Sequence, residues 1–283
     1  IWTSFLFSGD AYVDHPAFGA AVIGRLLQAE GYRVAIVPQP NWRDDLRDFR
    51  KLGKPRLFFG VSGGSMDSMV NHYTANLRLR SDDAYTPGGK AGFRPDRAVT
   101  VYTRILKSLY PNTPVVIGGI EASLRRLTHY DYWSDSLKPS VLVESGADLL
   151  IYGMGERVVQ QVARAMRNGY NAKLLRKIRQ VAFLADDAYV SRLDPDRTIR
   201  LHGYEECLRD KRAFGENFTI IETQSNLMEP EVTLVEATGD RFVVVTPPTR
   251  PSRPKSSTTR STCPTNGRRI PVTAARGISR PGR

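Results

Sequence analysis

The chain has 283 residues, of which 41% are hydrophobic, and its formal net charge is +12. Nine of its 41 Lys and Arg residues, but none of its 29 Asp and Glu residues, fall in residues 247–283. The rest of the chain is therefore close to neutral, and nucleic acid is not its expected partner. No apolar run approaches the roughly 20 residues of a membrane span. Cys207 and Cys263 form no disulfide framework, so we expect a cytoplasmic protein.

Strand and helix signals alternate along the first 170 residues. Short apolar runs followed by Gly, Ser or Pro predict buried strands, and apolar residues at i, i+3, i+4 spacing predict amphipathic helices. The predicted strands are 2–8, 32–37, 56–61, 114–117 and 148–152, and the predicted helices include 18–30 and 158–166. This alternation indicates parallel βαβ units, and hence an α/β fold with a doubly wound parallel sheet.

A second segment follows at residues 171–246. It begins with a basic helical stretch, 172–179, and ends with two apolar runs, 231–237 and 241–246, around a Thr-Gly-Asp turn typical of a β-hairpin. We predict an α/β domain over 1–170, a helical linker with a hairpin over 171–246, and a tail from 247. The polar stretch 71–96 is too long for an ordinary βα connection, and such loops are usually functional or disordered.

The predicted strands end in glycine-rich loops with acidic residues close by. Carboxyl ends of parallel strands meet at one edge, where open α/β sheets bind ligands. The candidates for that ligand edge are Asp10, Asp14, His15, Gly63, Gly64, Gly118, Gly119, Glu121, Gly153, Gly155, Glu156 and Arg157. Tight βα turns also require glycine, so turn geometry and ligand contact are both open explanations. Gathered carboxylates need basic partners, and Arg125, Arg126 and Arg157 are the nearest in sequence.

Other chemistries lack their sequence signatures. The four histidines, His15, His72, His129 and His202, show no metal-ligand spacing. Residues 60–64 lack the Lys and Ser or Thr of a phosphate-binding loop, and no serine nucleophile elbow is present. His129 fits a structural hydrogen-bonding role better than that of a base. We therefore predict neither a catalytic residue nor a metal site in this chain.

Six unusual stretches carry a resemblance to a known family. They are GDAYVDHPAFG (9–19), MDSMVNHYTAN (66–76), RSDDAYTPGGKAG (80–92), PVVIGGIEASLRR (114–126), HYDYWSD (129–135) and DLLIYGMGER (148–157). From about residue 2 to residue 248, the chain is similar to the amino-terminal region of YgiQ-type radical SAM proteins. The resemblance implies an α/β domain similar to flavodoxin-like cobalamin-binding domains, followed by a radical SAM barrel. In the family, a Cys-x3-Cys-x2-Cys motif in the barrel holds a 4Fe–4S cluster that cleaves S-adenosylmethionine reductively; its substrate is unknown.

The chain departs from this family pattern in two ways. A 4Fe–4S cluster needs several closely spaced cysteines, and Cys207 and Cys263 are 56 positions apart. We therefore expect this chain to be the amino-terminal part of such a protein, without the radical SAM barrel that would be its partner. We expect it to be inactive on its own. Residues 14–19 also lack the Asp-x-His-x-x-Gly spacing of base-off cobalamin binding, so a bond from His15 to cobalt is not supported. Base-on cobalamin binding, or no cobalamin, stays open.

The tail has seven prolines in residues 247–283 and no apolar periodicity, which predicts a disordered basic segment. A frameshift is the interpretation that we favour. With GC-rich codons chosen for 248–259, the frame one base earlier reads Tyr-Pro-Pro-Leu-Thr-Ala-Glu-Glu-Leu-Asp-Asp, like the acidic linker of the family. DNA binding by the tail is the weakest hypothesis, because the tail lacks interleaved aromatic residues. Since the chain begins at Ile1 rather than Met, we expect the true start to lie upstream.

Two functional hypotheses compete. The first is the amino-terminal domain of a radical SAM enzyme of unknown substrate. The alternative is a stand-alone binding module for a corrinoid or nucleotide-like ligand.

Overall fold

The computed structural model describes residues 3–11, 18–169 and 171–250. The strands in these ranges are β1 (Ser4–Ser8), β2 (Val34–Pro38), β3 (Phe58–Ser62), β4 (Val115–Gly118), β5 (His129–Asp131), β6 (Ser136–Lys138), β7 (Leu149–Ile151), β8 (Val181–Ala185), β9 (Thr198–Leu201), β10 (Thr233–Thr238) and β11 (Arg241–Val245). The α-helices are α1 (Gly19–Ala29), α2 (Arg47–Arg50), α3 (Ser68–His72), α4 (Ala98–Leu109), α5 (Gly119–Leu124), α6 (Val141–Ser145), α7 (Glu156–Arg167), α8 (Ala172–Leu175), α9 (Asp187–Val190), α10 (Tyr204–Arg209) and α11 (Lys211–Ser225).

Nine of these strands form one sheet in the order β2-β1-β3-β4-β7-β8-β11-β10-β9. From β2 to β7 all neighbours are parallel, and their order is the 2-1-3-4-5 order of a doubly wound sheet. β8 is antiparallel to both of its neighbours, β11 is antiparallel to β10, and β9 joins β10 in parallel. The prediction of an α/β fold is thus confirmed as a large, mostly parallel sheet.

Helices cover both faces of the sheet. Successive residues of a strand point to opposite faces, so each strand packs against both helix layers. Phe5 of β1 is buried on the face that also packs Val99, Tyr102 and Leu106 of α4. The neighbouring Leu6 is buried on the other face, with residues of α1 and α7. The parallel strands from β2 to β7 are therefore predominantly apolar, as expected for a sheet that is buried on both sides.

Most of the predicted elements are present, with small shifts at their ends. The predicted strands 2–8, 32–37, 56–61, 114–117 and 148–152 correspond to β1, β2, β3, β4 and β7, and the predicted hairpin corresponds to β10 and β11. The predicted helix over 172–179 is shorter, ending at Leu175. The sequence interpretation missed α4, β8, β9, α10 and α11. The domain boundary at residue 170 stays a prediction, and the sheet continues across it through the pairing of β7 with β8.

The long polar stretch 71–96 is mostly irregular. It contains a short 3-10 helix, Pro87–Gly89, and two isolated bridges, Tyr73 to Leu79 and Asp82 to Lys90. Its residues 75–82 are all exposed, whereas Arg94 at the far end is buried. The stretch is thus anchored by buried side chains, such as Asp83 and Arg94, rather than by regular secondary structure.

The end of the described chain is held to the sheet. The carbonyl of Pro247 accepts a hydrogen bond from the backbone N–H of Gln180 at 2.8 Å. Arg250 pairs with Glu231 at 3.2 Å. The predictions of a disordered or frameshifted tail concern residues 247–283, of which 251–283 lie outside the described residues. In the part of the chain that the structure describes, no helix is both long and apolar enough to cross a membrane.

Candidate functional site

A cavity of about 550 Å³ lies where α1 and α7 meet the carboxyl ends of β1, β3, β4 and β7. Its apolar floor consists of Leu6, Phe58, Val116 and Ile151, one residue from each of the four strands. The cavity has the size of sites that enclose a small organic ligand. It also lies at the carboxyl edge, where doubly wound sheets bind their ligands.

Small residues make up much of the rim of the cavity. Five glycines at and just after the ends of β3, β4 and β7 line it, together with Gly19 and Ala20 at the start of α1; these five are Gly64, Gly118, Gly119, Gly153 and Gly155. Gly119 has φ +84°, and a Cβ there would stand 2.7 Å from Ser62 Oγ. Glycine is therefore required for both the backbone conformation and the space at this position.

Three polar side chains line the cavity among the described residues: Ser62, Ser65 and Glu156. The Oγ atom of Ser62 accepts a hydrogen bond from the backbone N–H of Gly64 at 3.2 Å. Glu156 is the first residue of α7, and its Oε2 atom is buried with no hydrogen-bond partner. The cavity thus presents an apolar surface with one carboxylate at the helix end.

Behind the rim, a buried ionic cluster holds three loops together. The fully buried guanidinium of Arg94 donates to Asp10 Oδ1 at 2.8 Å, Asp83 Oδ2 at 3.1 Å and the carbonyl of Gly63 at 3.0 Å. Burial alone would raise the pKa of Asp83, but the backbone N–H of Tyr85 and Arg94 together hold that pKa below its usual value. Two carboxylates and a carbonyl therefore compensate one buried cation, which is the condition for burying charge without a large penalty.

Glu121 joins two helix starts on the face opposite the cavity. Its carboxylate accepts from the backbone N–H of Ser68 in α3 at 3.0 Å and of Val99 in α4 at 2.9 Å. Burial raises the pKa of Glu121. Arg125 beside it pairs with Asp67, the residue that caps α3. Glu121 therefore connects backbone elements and does not line the cavity.

The structure divides the predicted ligand-edge residues into two groups. Those that line the cavity are Gly64, Gly118, Gly119, Gly153, Gly155 and Glu156. Asp10, Gly63 and Glu121 belong to the buried polar contacts behind it, and Arg157 donates to the carbonyl of Arg250 at 3.2 Å. Asp14 and His15 lie outside the described residues. Ligand binding by any of these residues stays a prediction.

Two features of the site were missed by the sequence interpretation. The partner of Asp10 is Arg94, whereas the sequence pointed to Arg125, Arg126 and Arg157. Arg94 is 84 positions away, and no local signal marks it. Ser62 and Ser65 flank the two glycines of residues 63–64 in the sequence, and that small polar run was the available signal.

The described residues do not form a metal centre. No three His, Cys, Asp or Glu side chains among them are grouped as metal ligands. His202 lies between Glu206 and Glu216, at 2.9 and 2.8 Å, on the surface. Cys207 is buried, and burial raises the pKa of its thiol to about 11. A thiol that stays protonated at neutral pH is a poor metal ligand.

Fold and cavity together define an α/β domain with a cavity at the carboxyl edge of the sheet. The chain belongs to the family described as Radical SAM N-terminal, which it matches over residues 3–261. This match confirms the resemblance carried by the six sequence stretches.

Longer relatives support the same membership. The chain is similar to three proteins named UPF0313 protein. It is 61% identical over 246 residues to that of Porphyromonas gingivalis, covering 87% of this chain and 38% of the relative. The relative from Bacteroides thetaiotaomicron is 55% identical over 257 residues, which cover 87% of this chain and 41% of the relative. The relative from Clostridium botulinum is 46% identical over 244 residues, which cover 86% of this chain and 37% of the relative. The chain thus spans about two fifths of the length of these relatives. No solved structure matches it.

Proposed function

We propose that this chain is the amino-terminal, ligand-binding part of a cytoplasmic radical SAM iron–sulfur enzyme of unknown substrate. The observation that carries the proposal is the cavity at the carboxyl edge of a domain that belongs to the Radical SAM N-terminal family. The relatives are more than twice as long as the matched region, which leaves room for a catalytic barrel as the partner of this domain.

The residues of this chain do not fit a 4Fe–4S cluster. Such a cluster is held by several cysteine thiolates, and the sequence has only Cys207 and Cys263. Cys207 is also buried beside Asn217 Nδ2, at 3.3 Å. We therefore assign cluster binding and the cleavage of S-adenosylmethionine to the remainder of the longer protein.

The cavity fits a corrinoid or nucleotide-like ligand. Its apolar floor would pack against a planar ring, and the glycines of its rim would allow the ligand to approach the backbone closely. Cobalamin carries a nucleotide tail of this kind, and when bound it would supply organometallic chemistry at cobalt. This chain would hold the tail between α1 and α7.

Ligand binding can be tested by calorimetric titration of the chain with hydroxocobalamin, adenosine and adenosine monophosphate. We expect at least one of them to bind, and we expect Ala20→Trp to abolish binding by filling the cavity beside α1. Ala75→Trp, on the exposed segment 75–82, is the matched control and should bind as the wild type does. If the wild type binds none of the three, the ligand-binding part of the proposal is wrong.

Cluster reconstitution separates the proposal from a stand-alone binding module. After anaerobic addition of iron and sulfide, this chain should show no cluster absorbance. Residues 1–246 joined to the remaining sequence of the Porphyromonas gingivalis relative should acquire it. A stoichiometric cluster on this chain that survives Cys263→Ser would contradict the assignment. A joined chain without a cluster would favour the stand-alone module.

A further inference from the structure

We infer that five exposed apolar side chains at the carboxyl edge of the sheet form a surface on which the remainder of the longer protein docks. They are Ile120, Leu124, Met154, Leu227 and Met228, and we call them the docking surface. The inference rests on the proposed function, since it requires the catalytic part for which the longer relatives have room. It adds to that function the face of this domain that receives its partner.

The first part of the docking surface lies beside the cavity. Ile120 and Met154, 45% and 77% exposed, both line the cavity. Leu124, 60% exposed, follows Ile120 by one helical turn in α5. The end of α5 is held to the loop of Met154, because Ser123 Oγ accepts a hydrogen bond from the backbone N–H of Gly153 at 3.0 Å. The three apolar side chains therefore lie on one part of the surface.

The chain leaves the sheet beside these residues. β8 is antiparallel to β7, and β11 is antiparallel to β8, so β11 runs in the direction of the parallel strands and ends at their carboxyl edge. The hydroxyl of Tyr152 donates to the carbonyl of Thr246 at 2.6 Å. Nη1 of Arg157 donates to the carbonyl of Arg250 at 3.2 Å. The departing chain is therefore bonded on both sides of Met154 to the segment that carries it.

The second part of the docking surface lies on the other side of the departing chain. β10 is antiparallel to β11, so the segment that leads into β10 also lies at the carboxyl edge. This segment carries Leu227 and Met228, 50% and 88% exposed. Arg179 joins it to the departing chain, donating to the carbonyls of Pro230 at 3.2 Å and Pro248 at 2.8 Å. Apolar side chains therefore flank the chain on both sides as it leaves the domain.

The path of the departing chain identifies the occupant of this surface. The family match runs to residue 261 and so passes through residue 250, and the relatives are more than twice as long as the matched region. Because the family is described as N-terminal, the rest of such a protein follows the match and continues from this edge. A part tethered here stays close to the surface, so a weak contact suffices to hold it. Exposed apolar groups that lie together mark interaction sites, whereas single ones need no partner.

An exposed apolar residue at the opposite edge provides the comparison. β9 is parallel to β10, so it ends at the edge opposite to the docking surface, and α10 follows it there. Leu208 of α10 is 52% exposed, between the values of Ile120 and Leu124. If the five side chains were only scattered surface residues, Leu208 would behave as they do. Masking confined to the docking surface therefore separates docking from ordinary exposure.

The test compares this chain with residues 1–246 joined to the remaining sequence of the Porphyromonas gingivalis relative. A photolysed diazirine labels exposed side chains under anaerobic conditions, and mass spectrometry locates the label. We expect the docking surface to be labelled in this chain and to lose most of that label in the joined chain. Leu208 should be labelled equally in both. Met69 is buried and should stay unlabelled, which reports that the domain is folded.

Leu124→Glu and Leu208→Glu are the matched variants of the joined chain. A carboxylate in an apolar contact loses its hydration, so Leu124→Glu should restore the labelling of Met154 and Met228. Leu208→Glu lies at the opposite edge and should leave both masked. Both positions are exposed, so each variant made in this chain should melt as the wild type does.

Three results would overturn the inference. They are equal labelling of the docking surface in the two chains, masking that survives Leu124→Glu, and masking in this chain alone that grows with its concentration. The last would assign the surface to a second copy. If Met69 is labelled in the joined chain, the two parts are made as separate polypeptides and mixed, and the same results decide.

Cluster absorbance of the same joined chain tests the proposed function separately. A cluster without masking would leave the proposed function standing and overturn the docking surface. Masking without a cluster would support the docking surface and contradict the catalytic assignment.

Discussion

Oε1 of Gln180 accepts hydrogen bonds from both the backbone N–H and the hydroxyl of Thr249. The Nε2 atom of the same amide donates to the carbonyls of Tyr152 at 2.6 Å and Met154 at 2.9 Å. Met154 lines the cavity, and Thr249 lies in the segment by which the described chain leaves the sheet. One buried side chain therefore connects the rim of the cavity to that segment.

Gln180→Ala should loosen both ends of this connection. The substitution leaves two carbonyls and the Thr249 donors without their partner, which should lower the free energy of unfolding by about 2 kcal/mol. Hydrogen exchange should accelerate at residues 152–154 and at Thr249 and Arg250. Gln161→Ala, on the exposed side of α7, is the control and should change neither. Wild-type exchange rates at Thr249 and Arg250 in Gln180→Ala would refute the connection.

Gly63→Ala should destabilise the fold by about 2 kcal/mol or more, because overpacking forces neighbouring groups to move. A Cβ on Gly63 would lie within 3.0 Å of the Glu121 carboxylate, whose position is fixed by two backbone donors. Gly215, exposed in the middle of α11, has open space around it. Gly215→Ala should therefore stabilise the chain by about 0.5–1 kcal/mol. Urea denaturation of both variants checks the contrast, and equal effects would contradict it.

Glu236 should make stability fall as pH rises from about 4.5 to about 7. Its fully buried carboxylate accepts from the backbone N–H and hydroxyl of Thr128, yet burial raises its pKa to about 7. Between these pH values the native state binds a proton that the unfolded state has lost, so native stability declines, by on the order of 3 kcal/mol in total.

Glu236→Gln should remove this part of the pH dependence. The difference in unfolding free energy between the variant and the wild type should grow across pH 4.5–7 in favour of the variant. Urea denaturation at half-unit pH steps measures it, with Glu222→Gln as the exposed control. Parallel curves for Glu236→Gln and the wild type would show that the carboxylate titrates normally.

Titration of His129 should change the stability in the opposite direction, lowering it as pH falls. Burial lowers its pKa to about 4, against an ordinary value near 6.5. The unfolded chain therefore gains a proton first as pH falls from 6.5 to 4, and stability is lost over that range, by on the order of 3 kcal/mol. His129→Gln should flatten this loss in acid denaturation curves.

His202 provides the contrast for His129, because its ring N–H groups donate to the carboxylates of Glu216 and Glu206, which raises its pKa. His202→Gln should remove a stabilising contribution that is present at low pH and lost as pH rises. The two variants should therefore change acid stability in opposite senses. The same sense for both would contradict the burial of His129.

The parallel half of the fold was predictable because each of its strands is buried on both faces and reads as an apolar run. β8 is also apolar, but it follows the basic stretch 172–179, which led to the prediction of a helical linker there. α4 begins at Ala98, directly after the long polar stretch, and its amphipathic pattern was overlooked. The antiparallel pairing of β7 with β8 is a tertiary contact, and no local sequence pattern predicts it.

The candidate site was predictable in outline only. Glycines after parallel strands place the loops of the rim correctly, and Glu156 was among the named residues. The sequence could not show that Asp10 is neutralised by Arg94, or that Glu121 binds the starts of two helices, since both contacts join residues distant in sequence. The structural carboxylates of Asp10 and Glu121 differ from that of Glu156, which lines the cavity, in their burial and not in their residue type.

The position of β8 has a consequence for the way in which the chain is made. On the ribosome, the parallel strands are complete once residue 151 has emerged, but one edge of β7 stays unpaired until β8 follows about 30 residues later. During that interval a nascent chain presents an open, apolar strand edge of the kind that promotes aggregation. Pieces of this protein that stop before β8 should therefore precipitate or recruit chaperones, and β8 is the strand that covers the edge of β7.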